Sequence, residues 1–405
     1  MVTPFHVIVL SELYLPAESG TGFLIGKIAE GIATRYPVTV LCGSPSDQSI
    51  SRIPAVENRN GVIVQRCAGT KFNKNKVWLR TLNLFTISFS IFLKAMRMVR
   101  KGDKVLVVTN PPSLPFFASI VCMLRQAKCY LLIHDLYPEV LTAAGLLAPE
   151  SLTARSLDWL NAWLYKRMEK VIVLGRDMSR IVARRHHPVD SRVVIIPNWA
   201  DVDEIVPLQR EENAFLAQLD LLGKFVIQYA GNMGRTHGIE NLLASARRLQ
   251  NRNDIHFLFV GEGAKRQWLE ESVKAFGLGN VTILPLQPRR KLCELLNACD
   301  VAVISFIPGM AGLSVPSRMY TIMAAGKPII AVADEDSELA LVVREEEIGW
   351  VVPRDRPELL IEVVQRSQSE PEVAQEMGKR ARRVAEHKYS FKRVLEIYQN
   401  LFAIQ

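Results

Sequence analysis

Cysteine is scarce and unpatterned in this chain. The six residues Cys42, Cys67, Cys122, Cys129, Cys293 and Cys299 form no Cys-x-x-Cys pair and no Cys/His ligand spacing, which argues against a disulfide framework or a structural zinc and for buried thiols in a reducing cytoplasm. His186 and His187 adjoin but have no third ligand in view, so a solvated helix end is expected there. Met1 to Leu10 runs straight into a strand without the basic start, apolar core and small-residue cleavage site of a signal peptide, and a chain that stays in the cytoplasm is expected. The longest strongly apolar segment, Leu82 to Leu93, has 12 residues and includes Asn83, Thr86, Ser88 and Ser90. A spanning helix needs roughly 20. No Gly-x-Gly-x-x-Gly follows the first strand with an acidic residue about 20 positions on, which argues against a dinucleotide oxidoreductase. No Asp-x-Asp metal motif stands at a suitable strand end, since Asp334-Glu335-Asp336 reads as a loop and helix N-cap.

What is present is enough for two or three packed domains: 405 residues with 49% hydrophobic composition. The net charge of +9 is unevenly spread, because residues 1–200 hold 25 Lys and Arg against 13 Asp and Glu, while residues 201–405 hold 25 against 28. Residues 52–104 alone carry 12 basic and 2 acidic side chains. No helix-turn-helix, zinc finger or interleaved aromatic platform accompanies them, so nucleic acid is not the expected partner and an anionic membrane surface is. A long helix is expected over 77–100, with Arg80, Asn83, Ser90, Lys94, Arg97 and Lys101 on a wet stripe and Leu82, Phe85, Phe89, Phe92 and Met96 filling the remainder.

Three strand-loop-helix junctions carry the chemistry. The segment Ser305 to Ile330 follows an apolar strand, passes Pro308, Gly309 and Gly312, and enters a helix with Arg318 in its first turn. A helix N-terminus on a glycine loop presents unpaired N–H groups and a positive dipole end to a phosphate. A second such loop, Gly231-Asn232-Met233-Gly234-Arg235-Thr236-His237-Gly238, follows strand 225–230, and two loops of this kind in one βα array imply a single anionic ligand held between them. The third lies near the N-terminus, where strand His6 to Leu10 leads through Glu18, Gly20, Thr21 and Gly22 into a helix. Strand Lys128 to Ile133 delivers His134 and Asp135 at its carboxyl end, where α/β active sites lie. There His134 can hydrogen-bond a polar group of a ligand, and Asp135 can orient a group or accept a proton.

These loops, with Val260-Gly261-Glu262-Gly263, Ser314-Val315-Pro316-Ser317-Arg318 and Ala324-Ala325-Gly326-Lys327-Pro328, resemble the donor half of retaining nucleotide-sugar glycosyltransferases of family 4, in the branch that includes N-acetyl-fucosamine and other amino-sugar transferases of bacterial surface polysaccharides. The resemblance covers nearly the whole chain, since Ile196-Pro197-Asn198 and the C-terminal tail also fit. It implies a GT-B architecture, two Rossmann-like doubly wound α/β domains facing a cleft. The acceptor side would be 1–202 with a membrane-facing region 71–104, the donor side 203–384, and 385–405 a helix crossing back. It also implies a UDP-sugar donor bound by Gly231, Asn232, Arg235, His237, Gly238, Gly261, Leu284, Leu313, Ser314, Val315, Ser317, Arg318 and Thr321, with Leu284 near the nucleobase. Glu18, Gly20, Thr21 and Gly22 would face the acceptor and the sugar phosphate, and His134 and Asp135 the transferred sugar. No metal or cofactor is implied. The acceptor would be a polyprenyl-diphosphate-linked saccharide of O-antigen or capsule, reached by a peripheral enzyme on the inner face of the plasma membrane.

The chain departs from the family pattern at two carboxylates, because Leu313 and Thr321 occupy the positions of two family glutamates, the second of which grips the ribose. Thr321 can make one neutral hydrogen bond where a carboxylate takes two charged ones. The first donor loop likewise lacks the family's Gly-Arg and Lys-Gly, so Arg235, then His237, is the candidate for the missing diphosphate cation. Two other readings use the same residues. A nucleotide-sugar 2-epimerase of this fold would not need a basic half, and a non-catalytic subunit of a polysaccharide assembly complex would fit Thr321 but not the intact donor loops.

Overall fold

The computed structural model describes residues 5–16, 20–44, 53–72, 76–185, 191–353 and 356–403. Glu18, Lys74, His186 and His187 lie outside them. The chain divides into two compact units: residues 1–138, 149–197 and 394–405, and residues 139–148 with 198–393.

The first unit is built on an eight-stranded sheet: β1 (Val7–Ser11), β2 (Val38–Gly43), β3 (Val56–Arg59), β4 (Val62–Cys67), β5 (Lys104–Val108), β6 (Lys128–Leu132), β7 (Lys170–Val173) and β8 (Val193–Ile195), in the order β3-β4-β2-β1-β5-β6-β7-β8. Every pairing is parallel except β3 with β4. Strands covered on both faces read as unbroken Val/Ile/Leu runs, and β1 (Val-Ile-Val-Leu-Ser) is buried throughout. β3 has no such signature. Its Val-Glu-Asn-Arg alternates exposed and half-buried as an edge hairpin through Asn60-Gly61, both at positive φ, and sequence reading missed it.

Helix α1 spans Gly20–Ala33, so Gly20, Thr21 and Gly22 form its first turn and not the loop expected before it. α2 (Val77–Met98) and α3 (Leu114–Arg125) pack against each other. α2 inverts the expected pattern in part: Ile87, Ser88, Ile91 and Ala95 are buried and Asn83, Ser90 and Lys94 half-buried, while Leu82, Phe85 and Phe89 are exposed beside Arg80 and Arg97, which face solvent as expected. The polar side chains explain the inversion. Asn83 Oδ1 accepts from Thr70 Oγ1 at 2.8 Å and from Phe72 N at 3.0 Å, Thr86 Oγ1 accepts from Thr70 N at 3.1 Å, and Ser88 Oγ meets Ser113 Oγ at 2.8 Å, so that face turns inward. After the short α4 (Glu139–Ala143) comes α5, which runs Leu152–Tyr165. Ser151 caps its start by accepting from Ala154 N at 3.2 Å, and Arg192 takes the carbonyls of Lys166 and Met168 beyond its end. α6 (Arg176–Arg185) leads to β8.

The second unit carries six parallel strands, β9 (Phe225–Ala230), β10 (Ile255–Val260), β11 (Val281–Leu284), β12 (Val301–Ser305), β13 (Ile329–Val332) and β14 (Gly349–Val352), in the order β11-β10-β9-β12-β13-β14. α7 (Ala214–Gln218) precedes them, and between and after them run α8 (Ile239–Arg248), α9 (Arg266–Phe276), α10 (Leu292–Asn297), α11 (Arg318–Ala324), α12 (Glu338–Glu345), α13 (Pro357–Ser369) and α14 (Pro371–His387). The polar run 203–213 is docked on the second unit: Arg210 pairs with Asp300 at 2.7 Å, and Leu208 N donates to Asn297 Oδ1 at 2.9 Å. Ser337, not the preceding acidic run, caps α12 by accepting from Ala340 N at 3.2 Å, while Asp334 Oδ2 accepts from Ala311 N. The last helix, α15 (Phe391–Ala403), belongs to the first unit from Val394 on, where Lys104 Nζ donates to Phe402 O at 2.6 Å and Gln399 Nε2 to Gly31 O at 2.9 Å. All six cysteines are free and five are buried; burial pushes the Cys42 and Cys299 thiols up to about 12. No helix among the described residues is long and apolar enough to cross a membrane.

Candidate active site

In the second unit the strand order reverses between β9 and β12, the switch point at which open α/β sheets bind ligands beyond their carboxyl ends. Gly231 leaves β9 at φ +139 and Gly261 leaves β10 at φ +147, and a Cβ on Gly261 would stand 1.9 Å from Gly231 O. Only a bare backbone permits that approach. Gly231 N donates to Val260 O at 2.8 Å and Gly261 N to Leu284 O at 3.0 Å, so Gly231, Gly261 and Leu284 stand side by side at three adjacent strand ends.

From β12 the chain passes Gly309 and Gly312, both at positive φ, and enters α11 at Arg318. The Arg318 guanidinium lies over the Tyr229 ring at 4.7 Å and donates through Nη1 to Ala230 O at 3.2 Å; a Cβ on Gly231 would meet Nη1 at 2.9 Å. Arg318 and Gly231, distant in sequence, are thereby brought together. Gly238 N donates to Ser305 O at 3.3 Å and Ser305 Oγ to Gly238 O at 2.7 Å, which ties the glycine loop after β9 to the end of β12. His237 sits between, its ring 5.3 Å from that of Phe306, and burial first, then the charges of Arg318 and Lys265, press its pKa down to about 3.

Lys265 was not singled out from the sequence. Its Nζ donates to His237 O at 2.6 Å and pairs with Glu240 at 2.6 Å, with 18% of the side chain exposed. Its position after Gly261-Glu262-Gly263, at the end of β10, is the signal that could have found it. Asn232 and Arg235 are exposed on the loop. Leu313 and Val315 are buried, and Ser314 and Ser317 half-buried. Thr321 Oγ1 donates to Arg318 O at 3.0 Å, so its hydroxyl proton is spent within its own helix.

In the first unit the order reverses between β1 and β5. Glu12 N donates to Asn110 O at 3.4 Å across that point, and α1 opens beyond the β1 end with Gly20 exposed, Thr21 half-buried and Gly22 buried. His134 follows β6, its N donating to Thr109 Oγ1 at 3.1 Å. The His134 Nε2 is buried without a hydrogen-bond partner among the described residues, and desolvation lowers the ring's pKa to about 4. A neutral imidazole with one unclaimed nitrogen is ready to bond a polar group brought to it. Asp135 is half-buried and raises the pKa of Tyr137, which burial chiefly pushes up to about 12.

Two family descriptions match the chain, Glycosyltransferase Family 4 over residues 19–204 and Glycosyl transferases group 1 over residues 212–384. The chain is similar to the probable glycosyltransferase WbjE of Pseudomonas aeruginosa, with 33% identity over 375 residues covering 89% of this chain and 88% of that one. It is also similar to the putative colanic acid biosynthesis glycosyl transferase WcaI of Escherichia coli K12, with 24% identity over 350 residues covering 82% and 84%. Among solved structures, a sucrose-phosphate synthase from Thermosynechococcus elongatus superposes with TM-score 0.77 at 20% identity, covering 99% and 100% of the two chains. HepE of Anabaena in complex with UDP-glucose superposes with TM-score 0.74 at 14% identity, covering 98% and 100%. The two parallel-sheet units form the GT-B fold.

Proposed function

Because the chain belongs to the family 4, group 1 glycosyltransferases, we propose that it moves a sugar, with retention of anomeric configuration, from a UDP-sugar to a polyprenyl-diphosphate-linked saccharide of a bacterial surface polysaccharide. The observation that carries this reading is the convergence of Arg318 and Lys265 with the Gly231 and Gly261 strand ends at the switch point of the second unit. Two cations beside bare backbone suit a diphosphate leaving group, whose developing charge they would stabilise without a metal. Residues 203–384 then serve as the donor half and 1–202 as the acceptor half. His134 bonds the transferred sugar through its unclaimed Nε2, Asp135 orients it, and Glu18 with Gly20 to Gly22 faces the sugar phosphate and acceptor.

The polysaccharide role is supported by the similarity to the putative colanic acid biosynthesis glycosyl transferase WcaI, and the UDP donor by the UDP-glucose held by HepE. An N-acetylated amino or deoxyamino sugar is the donor sugar favoured by the donor-loop motifs. Thr321, bonded to its own helix, leaves the ribose to be held by other groups. The enzyme works at the inner face of the plasma membrane, held peripherally. Thermal-shift screening against UDP-, GDP- and dTDP-sugars tests the reading: stabilisation by UDP and by one UDP-sugar is expected, and a response confined to GDP- or dTDP-sugars would overturn it.

A further inference from the structure

The basic half of the chain is also its most openly apolar. On α2 the side chains of Trp78, Leu82, Phe85, Phe89 and Leu93 succeed one another at intervals of four, three, four and four residues, which places them on one helical face, and all are exposed, Trp78 by 65% and Phe85 by 51%. The stripe runs for about 22 Å at the rise of an α-helix. α3 broadens it: Phe117 packs its ring 5.6 Å from Phe85 and 6.1 Å from Phe89, and two turns on Leu124 is 58% exposed. Single exposed apolar side chains are ordinary on a protein surface, whereas a contiguous face of them marks a contact.

The charge around that face selects the partner. No Asp or Glu occurs between Glu57 and Asp103, nor between Asp103 and Asp135, so neither α2 nor α3 carries an acidic residue. Lys76 and Arg80 at the start of α2, Arg97 one turn beyond Leu93, and Arg125 at the end of α3 are exposed. Arg125 is held there by its bond to Met96 O. A helix with an aromatic and leucine face flanked only by cations suits the boundary between anionic headgroups and acyl chains, into which such a face sinks by about 5–10 Å. An acidic protein partner would match the cations but gives no reason for an exposed Trp and two exposed Phe.

We propose that this face of α2, widened by the end of α3, inserts into an anionic lipid bilayer, so that attachment is carried by apolar burial and only steered by charge. The inference deepens the lipid-linked-acceptor reading, on which its biological use rests. It differs from attachment by the basic region alone, which 1 M salt would release as the screening length falls to about 3 Å.

The test is co-sedimentation with phosphatidylcholine vesicles and with phosphatidylcholine/phosphatidylglycerol vesicles, at 0.1 M and 1 M NaCl and without any sugar nucleotide. Wild type should bind the anionic vesicles and keep most of that binding in 1 M salt. The variant L82S/F85S/F89S should partition about tenfold less or weaker, while still transferring sugar to a water-soluble acceptor. Lipids brominated on the acyl chain should quench wild-type fluorescence more than that of Trp78→Phe, a comparison that does not require the triple variant to fold. Complete release by salt with no loss in the triple variant, or equal quenching in wild type and Trp78→Phe, would overturn insertion. So would a dimer in sedimentation velocity that the triple variant dissociates, since the face would then belong to a second copy. Vesicle binding without transfer to a lipid-linked acceptor would instead defeat the functional reading and leave the insertion standing.

Discussion

Arg318 spends its stacking and one hydrogen bond on the backbone and ring of β9, so its removal takes away a charge already held in place. Arg318→Ala and Lys265→Ala should each weaken UDP binding by about 1.5–3 kcal/mol, the size of a charge-assisted hydrogen bond, whereas the exposed Arg235→Ala should cost less. Calorimetric titration checks this, and unchanged affinity in both variants would remove the diphosphate assignment. His134→Ala or Asp135→Asn should leave UDP affinity nearly intact while cutting transfer by roughly a hundredfold, as the loss of a positioned polar contact does; full transfer in both would move the chemistry elsewhere. His134, His237 and His256 share one pH consequence, since burial lowers them to about 4, 3 and 4. The unfolded chain takes up protons at these residues from about pH 6.5 downward while the folded chain does not, so stability is fully present above that pH and falls towards pH 4. The midpoint of thermal unfolding should be level from pH 8 to 7 and decline below 6.5, with a shallower decline in His256→Gln, the native His256 Nε2 lying 2.9 Å from Thr282 Oγ1; a flat profile down to pH 4.5 would contradict it.

At the scale of elements, the close approach of the β9 and β10 ends at Gly231 and Gly261 is the feature most exposed to substitution. Gly261→Ala combines φ +147 with a methyl group 1.9 Å from a carbonyl oxygen, so that variant should lose UDP binding and unfold at lower temperature than wild type, by more than the ordinary destabilisation of about 1 kcal/mol. Gly309→Ala, at φ +75 but with nothing within 4 Å of the added methyl, is the milder control, and equal behaviour of the two variants would show that the close approach is unimportant. The buried parallel strands were legible in the sequence because an apolar run bounded by glycines has few other uses; β9 has the limits expected for it, 225–230. The glycine loops that leave β9 and β12 were legible for the same reason. Lys265 was not, since its proximity to His237 arises only once β9 and β10 pair. α2 was misread because hydropathy cannot reveal that Thr70, Phe72 and Ser113 would supply partners for Asn83, Thr86 and Ser88 and so draw the polar face inward.

At the scale of the whole molecule, α15 contributes Val394, Tyr398, Leu401 and Phe402 as buried side chains, and its Phe402 ring meets Tyr130 at 5.0 Å. Burial of that kind is worth about 1.5–3 kcal/mol for each large side chain, comparable in sum with the net stability of a domain. Truncation after Arg393 should therefore leave the first unit insoluble or unfolded while the second still binds UDP, read by limited proteolysis and calorimetry; a truncated chain melting like wild type would show α15 to be dispensable. The same helix bears on how the protein is made. Domains ordinarily fold in the order in which they leave the ribosome. Here residues 5–197 emerge first, yet the helix that covers Tyr130 and Gly31 is translated only after the entire second unit. The half synthesised first is the half completed last, and throughout elongation its sheet presents an uncovered apolar surface that holding chaperones would be the natural means of shielding.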